Sequence, residues 1–400
     1  MHTSFLLTVS SALAVASAQS LTDVLSEQSD TLSLFTAVVQ QAGLVDTINS
    51  LDSATIFAPT NQALNAAISQ FDGLVSSSGD DDDTEDGISL DNLEVSDRFV
   101  DILMYHVVGG ASVAAADIAP FPGSFLPTAL DSYVVNPYQT DDGGVVVYSR
   151  EKRMSHVVSP NIEYDNGIIH TIDAVLLPPV GPADTALDLG LTYFYGALEA
   201  TDLTADVATA NGITVFVPTN QAFIDVGGQL QDLLSTSESD VSTLLQYHVV
   251  PNMPYYTTNL TDGDTLETLA QTPFQNGLDV HIDEEDGALY VNNARVITAN
   301  ILLSNGVAHL IDEVLNPAND DDGGYVYTLG DDGLGVPAFE DAASATLPAL
   351  TSGIPATAVG TYAPSSTFTA ASGAEAARGN YRAEMLGGVL AAGALGLVMA

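Results

Sequence analysis

The stretch that decides the fold is TIFAPTNQAL at residues 55–64, because it returns almost unchanged as TVFVPTNQAF at residues 214–223. Two further blocks repeat in the same order, LMYHVV (103–108) as LQYHVV (245–250) and NGIIHTIDAVLLP (166–178) as NGVAHLIDEVLNP (305–317). Three ordered blocks that each occur twice indicate a duplicated domain. We therefore expect one domain over residues 19–180 and a second over residues 181–317.

The distance between the copies changes along the chain and locates an insertion. The first block recurs after 159 residues, whereas the second recurs after 142. The extra residues of the first copy lie in DGLVSSSGDDDDTEDGISLDN, which is acidic and has glycine near both ends. This composition predicts a solvated acidic insertion at about residues 73–91.

Each copy has helical patterns in front and strand patterns behind. TIF and TVF are short β-branched strands ended by a proline, and Asn61 and Asn220 fit the N-cap of the helix that follows. Helical spacing predicts further helices over residues 96–105 and 239–247. Strand-like alternation follows in SYVVN, VVVYS, LDVHI and ALYVN. Helices followed by a mostly antiparallel sheet place each domain in the α+β class.

The amino terminus has the pattern of a secretory signal. Residues 5–15, FLLTVSSALAV, form a short apolar run that is followed by Ala16-Ser17-Ala18. Small residues at these positions fit a signal-peptidase site, so residues 1–18 are predicted to be a signal peptide. The run is shorter than the roughly 20 residues of a permanent membrane span.

The carboxyl terminus has the pattern of a glycosylphosphatidylinositol (GPI) attachment signal. Residues 385–400 are apolar, a polar stretch precedes them at residues 375–384, and Ser372-Gly373-Ala374 comes before that. We expect attachment at Ser372, with Gly373 or Asn380 as alternatives, and removal of residues 373–400. The competing interpretation is a C-terminal transmembrane helix, which would be short and would lack a basic flank.

Between the second domain and this signal, residues 318–372 change in character. They begin with the acidic, glycine-rich NDDDGGYVYTLGDDG, and residues 342–372 are then mainly Ala, Ser, Thr, Pro and Gly. Such a segment has too little apolar surface to fold alone, and it is typical of an O-glycosylated stalk.

The three blocks, in this order and twice over, resemble the fasciclin domain. The resemblance covers about residues 21–317 and rests on TxFxPTNxAF, the Tyr-His pair and NGxxHxID in both copies. It implies two tandem domains, each a wedge or sandwich of about seven mostly antiparallel strands with packed helices. It also implies extracellular adhesion, often by tandem domains on a GPI anchor.

The Tyr-His pairs, Tyr105-His106 and Tyr247-His248, are candidate interaction residues. The resemblance implies this role, because the pair is linked with integrin binding in animal fasciclin proteins. The structural interpretation is that the ring packs in the core while the imidazole hydrogen-bonds nearby backbone.

Catalytic and metal-binding patterns are not found in the sequence. His170 with Asp173, and His309 with Asp312, are three apart on predicted strands, where side chains face opposite sides. They are therefore predicted to be core residues and not a metal or general-base site. The chain has no cysteine, no Gly-x-Ser-x-Gly and no phosphate or dinucleotide loop. We expect no enzymatic activity, no cofactor and no defined metal site.

Two charged features remain as candidate contacts. Arg150-Glu151-Lys152-Arg153 holds three of the seven basic residues and forms a predicted hairpin tip. Arg150, Lys152 and Arg153 could contact a polyanionic glycan, mark a processing site at residues 152–153, or protect a sheet edge. Acidic loops at 80–86, 283–286 and 320–322 could gather calcium weakly, although EF-hand spacing is absent.

Charge and glycosylation narrow the partner classes. A formal net charge of −45 repels nucleic acid and anionic lipid head groups. Asn259, in Asn-Leu-Thr, is the predicted N-glycosylation site. The leading hypothesis is a GPI-anchored adhesion module at the cell surface or wall, which binds an extracellular protein or a cell-wall or matrix glycan. The alternative is a membrane-anchored protein of the vacuole or endomembrane system that acts in trafficking or membrane fusion.

Overall fold

The computed structural model describes residues 19–71, 75–77, 93–130, 133–270, 279–285, 287–317, 339, 342–352 and 354. Its contacts divide the chain into two compact units. One unit runs to Asp117 and includes Val157–Val175, and the other comprises Ile118–His156 and the chain from Leu176 onward. The middle of the first repeat thus groups with the second repeat.

Several predicted features lie outside the described residues. These are the signal peptide at residues 1–18, the attachment residue Ser372, the removed tail at residues 373–400, and the acidic loops at residues 80–86 and 320–322.

The first repeat begins with helices and continues into a sheet. Its helices are α1 (Leu21–Glu27), α2 (Ser29–Gln41), α3 (Leu44–Asn49), α4 (Asn61–Gln70) and α5 (Asp97–Tyr105). Its strands are β1 (Ala54–Pro59), β2 (Val75–Ser77), β3 (Leu93–Val95), β4 (Val107–Gly109), β5 (Leu126–Pro127), β6 (Val134–Gln139), β7 (Val145–Tyr148), β8 (Met154–Tyr164) and β9 (Gly167–Ile172). Single 3₁₀ turns lie at Ala115–Asp117 and Arg150–Lys152.

The second repeat has the same order of elements, except that a helix, Gly227–Thr236, stands where the first repeat has strands β2 and β3. Its helices are α6 (Pro182–Asp188), α7 (Thr192–Ala200), α8 (Thr204–Thr209), α9 (Asn220–Asp225), α10 (Gly227–Thr236) and α11 (Glu238–Tyr247), with α12 (Pro348–Thr351) near the end of the described chain. Its strands are β10 (Ile213–Pro218), β11 (Val249–Val250), β12 (Thr265–Glu267), β13 (Asp279–Glu285), β14 (Ala288–Val291), β15 (Ala294–Leu303) and β16 (Gly306–Ile311).

Each repeat builds a seven-stranded sheet. The strand orders are β4-β1-β9-β8-β7-β6-β5 and β11-β10-β16-β15-β14-β13-β12. The first block of each repeat forms a strand parallel to the closing block, as β1 with β9 and β10 with β16, and the other strand pairs are antiparallel. The predicted α+β class, with two tandem domains of seven mostly antiparallel strands, is confirmed.

Helices α4 and α9, which follow the first strand of each repeat, have a different N-cap residue from the one predicted. Thr60 and Thr219 are the N-caps, and their hydroxyls accept from the N–H of Ala63 and Ala222 at 3.2 and 3.1 Å. The N-cap prediction for Asn61 was therefore wrong, because its amide instead accepts from Leu34 N–H at 2.9 Å and ties α4 to α2. Asn220 repeats this role toward Tyr193 and Gly190 in α7 and its approach.

The acidic insertion is not wholly a solvated loop. Near its start Val75–Ser77 forms strand β2, which pairs antiparallel with β3 just beyond its end, and β3 packs against helix α2. The prediction at residues 73–91 is thus corrected at its amino-terminal end, where Val75–Ser77 is a strand. Residues 78–92 lie outside the described part of the chain.

A C-terminal strap, residues 342–352, corrects the stalk prediction. Its side chains Leu347 and Leu350 are buried in the core of the second repeat. Gly228 N–H donates to Ala343 O at 2.8 Å, and Ala345 N–H donates to Ile224 O at 2.9 Å. The prediction that residues 342–372 stay unfolded was wrong for the strap.

The strap fits because glycines of the second repeat let its backbone approach closely. A Cβ on Gly196 would lie 1.6 Å from Leu350 O, and a Cβ on Gly227 would lie 1.9 Å from Ala345 O. The first repeat carries Ala37 and Ile68 at the matching positions, 159 residues earlier. The side chains of Ala37 and Ile68 would therefore block the same packing of the strap on the first repeat.

Deleting the strap should destabilise the second repeat. Exposing Leu347 and Leu350 costs about 3 kcal/mol in lost apolar burial, discounted for a compact unfolded state. Urea unfolding of a chain ending at Asp341 should show this loss relative to a chain ending at Ile354. Equal midpoints for the two chains would show that the strap adds nothing to stability.

Candidate functional site

The two Tyr-His pairs end helices α5 and α11 and are buried. Tyr105, His106 and His248 have no exposed surface, and Tyr247 has 1%. Each pair stands between the end of a helix and the start of strand β4 or β11. Apolar residues on both sides of it are buried, so this part of the chain lies in the core. None of the four candidate interaction residues offers an exposed side chain to a partner, so the geometry favours the structural interpretation.

Each of these imidazoles bonds to the last turn of its own helix. His106 Nδ1 lies 2.7 Å from Ile102 O, and His248 Nδ1 lies 2.8 Å from Leu244 O. His248 Nε2 also accepts from Leu315 N–H at 3.0 Å, which fixes the chain after β16 to the end of α11. Nδ1 must then carry the proton, so both nitrogens of His248 are used by the fold.

The closing histidines are buried on the strands that pair with the first block. His170 and His309 have no exposed surface, and their Nε2 atoms lie 2.9 Å from Val113 O and 2.8 Å from Tyr255 O. Asp312 accepts from Arg295 N–H at 2.7 Å instead of facing His309. The structure thus agrees with core histidines whose Nε2 atoms bond to backbone carbonyls.

The basic turn is held in a conformation that non-glycine residues seldom adopt. Glu151 and Lys152 have φ values of 55° and 60°, each costing on the order of 1 kcal/mol. The Lys152 ammonium lies 4.1 Å from the centre of the Tyr148 ring. Lys152 as a whole is partly exposed, but burial around its ammonium group lowers the pKa of that group to about 7.

The charges of this turn are paired within the protein. Arg150 bonds to the carboxylates of Glu151 and Asp188, and Arg153 lies 3.8 Å from Glu151. Neighbouring groups thus engage Arg150 and Lys152, whereas the Arg153 side chain is 42% exposed. The predicted contact of Arg150, Lys152 and Arg153 with a polyanionic glycan stays a prediction. The paired, tightly turned backbone also disfavours cleavage at residues 152–153.

An exposed strand face was missed by sequence reasoning. Strand β8 lies inside the first sheet, yet Val158 is 55% exposed and Met154 is 36% exposed. Ser159, Pro160 and Asn161 on the same strand are also exposed. The available signal was the break of alternation at Val157-Val158-Ser159-Pro160, where a register shift disturbs pairing with β9.

Comparison with known proteins gives the family. The fasciclin domain model matches residues 30–178 and again residues 189–317.

This chain belongs to the fasciclin family.

Its relatives include several fungal proteins. The fasciclin protein is 32% identical over 326 residues to fasciclin-like arabinogalactan protein CTB11 of Cercospora beticola, covering 80% of this chain and 82% of that one. It is 34% identical over 201 residues to a fasciclin-like arabinogalactan protein of Arthroderma benhamiae, covering 50% of this chain and 44% of that one. A FAS1 domain pair from the insect cell adhesion molecule Fasciclin I aligns with a TM-score of 0.34 at 18% identity, covering 72% of this chain and 97% of that one.

Other candidate sites of the fasciclin protein are simpler. Asn259 is exposed in a turn, where its backbone N–H donates to Tyr256 O at 2.7 Å and its side-chain Oδ1 accepts from the Thr258 hydroxyl at 3.0 Å. Within the described ranges, no group of three or more His, Asp or Glu side chains could hold a metal ion. No helix in those ranges is long and apolar enough to cross a membrane.

The motif histidines should remain neutral well below neutral pH. Burial lowers the pKa of His106 and of His248 to about 4, although the bonded carbonyl of each favours the charged form. Unfolding restores a pKa of about 6.5. The stability from burying neutral imidazoles is therefore complete above about pH 6.5 and is lost as the pH falls toward 4.

NMR can test the prediction by following the protonation of the two imidazole rings. The ring C–H resonances of His106 and His248 should stay constant from about pH 8 down to about pH 5 while the fold persists. A titration midpoint near pH 6.5 for either ring in folded protein would show that the ring is solvated and open to contact.

Proposed function

We propose that this fasciclin protein is a non-enzymatic adhesion or matrix-contact module at the cell surface, where it binds an extracellular protein or a cell-wall or matrix glycan. The observation that carries the proposal is that the motif residues and the exposed surface are separate parts of the fold. The four motif histidines are buried and bonded to backbone, whereas exposed apolar side chains lie on an open strand face. Broad exposed surfaces suit contact with macromolecules.

Two further observations support this proposal. The accessible sequon at Asn259 fits a protein that passes through the secretory pathway. Fungal relatives are named fasciclin-like arabinogalactan proteins, a name that joins the fasciclin domain to an extracellular glycan class.

An attachment assay tests the proposed adhesion. Beads coated with the full chain, secreted by a eukaryotic host, should attach to cells or isolated wall material. Beads coated with the same protein after thermal unfolding serve as the control. Equal attachment by both preparations would refute a folded adhesion module.

The anchor predicted at Ser372 gives a second test of location. Phosphatidylinositol-specific phospholipase C should release the protein from intact cells, since the lipid anchor would be its link to the membrane. Mass analysis of the released chain should find no peptide from residues 395–400. Recovery of that peptide from mature, membrane-bound protein would support the transmembrane and endomembrane alternative.

A further inference from the structure

The corresponding strands β8 and β15 share an unusual local geometry. Both carry register shifts against the next strand at matching positions, 139 residues apart. Within the shifts, Asn161 and Asn300 adopt φ values of 59° and 60°. The two strands therefore present the same backbone shape.

The framework beside these strands is similar in the two repeats. They differ at the closing histidine, because Asn161 N–H donates to His170 Nδ1 at 3.3 Å, whereas His309 Nδ1 has no hydrogen-bond partner in the described part of the chain. Asn161 Oδ1 accepts from Ala115 N–H at 2.9 Å, and Asn300 Oδ1 accepts from Thr257 N–H at 2.9 Å. His170 and His309 bond to the carbonyls two residues before these N–H groups. In each repeat the loop and the shifted strand thus form a similar surface, with the closing histidine buried beneath it.

In the second compact unit this surface is occupied. The basic turn Arg150–Lys152 packs against β15, and Arg150 pairs with Asp188. Phe125 stacks on Tyr256 with ring centres 3.9 Å apart. Leu302 is 1% exposed beneath this cluster. The occupant is a cationic turn accompanied by an aromatic side chain.

In the first compact unit the matching surface is exposed. We define the open β8 face as Val158–Asn161 with Glu163, all of which are exposed. Glu163 stands where the second repeat has Leu302, and Asp117 is exposed on the adjoining turn Ala115–Asp117. The surface therefore has the backbone shape of the occupied one, with two carboxylates at its rim.

We propose that the open β8 face binds a cationic turn of a partner protein, in the way that β15 receives the turn Arg150–Lys152. Shape is supplied by the shared framework, apolar contact by Val158, and charge complementarity by Glu163 with Asp117. A second copy of this chain is not the occupant, because its own Arg150 is paired and its Lys152 ammonium is enclosed. The inference rests on the proposed function and names a partner chemistry for it.

The probe is a cyclic peptide with the sequence of residues 148–154, YSREKRM, added to the isotope-labelled mature chain. Amide shifts should concentrate at residues 113–117 and 157–163 and should weaken as salt is added. Glu163→Lys should weaken binding at least about fivefold, in the range of single rim charges. Val158→Ser should weaken it while leaving the net charge unchanged.

The matched control is Glu267→Lys, which makes the same charge change on an exposed residue of strand β12. Equal weakening by Glu163→Lys and Glu267→Lys would reduce the effect to general attraction to a polyanion and overturn the proposal. Shifts at residues 157–163 that grow with protein concentration, without peptide, would replace the partner by a second copy. Failure of peptide binding with bead attachment intact would refute this inference alone.

Discussion

Gly306→Ala should destabilise the second repeat by roughly 3–4 kcal/mol, among the larger effects of a single methyl group. Gly306 starts β16 and pairs with Ile213 of the parallel strand β10. A Cβ at this position would lie 1.9 Å from Ile213 O. The backbone of β10 cannot move away without breaking the pairing that joins the first block to the closing block. Urea unfolding measures the loss.

Gly167→Ala should have the same effect on the first repeat, because its Cβ would lie 1.9 Å from Ala54 O. The control is Gly181→Ala, where the nearest atom is 4.0 Å away and the backbone is extended. Gly181 is the N-cap of α6, where alanine is less favourable than glycine, so that variant should lose no more than about 1 kcal/mol. A Gly306→Ala variant as stable as Gly181→Ala would contradict the parallel strand pairing described here.

His248→Ala should cost about 4 kcal/mol, the second large effect. The change leaves Leu244 O and Leu315 N–H without their imidazole partner and opens a cavity at the end of α11. The control His156→Ala removes an exposed ring and should change stability by under about 0.5 kcal/mol. If both variants unfold at the same denaturant concentration, the bridging role of His248 is refuted.

The elements of each repeat could be predicted because local patterns agree with the fold. Blocks such as TVFVP have the β-branched and aromatic residues of a buried strand, and Pro218 ends the strand. The contacts that explain the Asn-Gly dipeptide at the start of the closing block are made with distant residues, so the local sequence does not reveal them. Asn305 Nδ2 donates to Val207 O and Ala210 O at 2.8 Å, while Gly306 passes close to Ile213.

The strap was misjudged, and the partner of the basic turn was missed, for a different reason. The Ala, Ser and Thr residues of the strap have little hydrophobicity. The strap can pack because Gly196 and Gly227, more than a hundred residues earlier, leave room for its backbone. The basic turn reads as a solvated tip, yet Asp188 neutralises part of it from the next repeat. Such tertiary partners leave no periodic signal near the residues that they explain.

The central claim is that motif residues maintain the fold while adhesion depends on exposed surface. The direct measurement is attachment of beads carrying His248→Ala or the unsubstituted chain across a temperature series, with circular dichroism of the same samples. Attachment of the variant should equal that of the unsubstituted chain below its lowered melting temperature and should disappear with the fold. Loss of attachment at temperatures where the variant is still folded would contradict the claim and return the Tyr-His pair to a direct binding role.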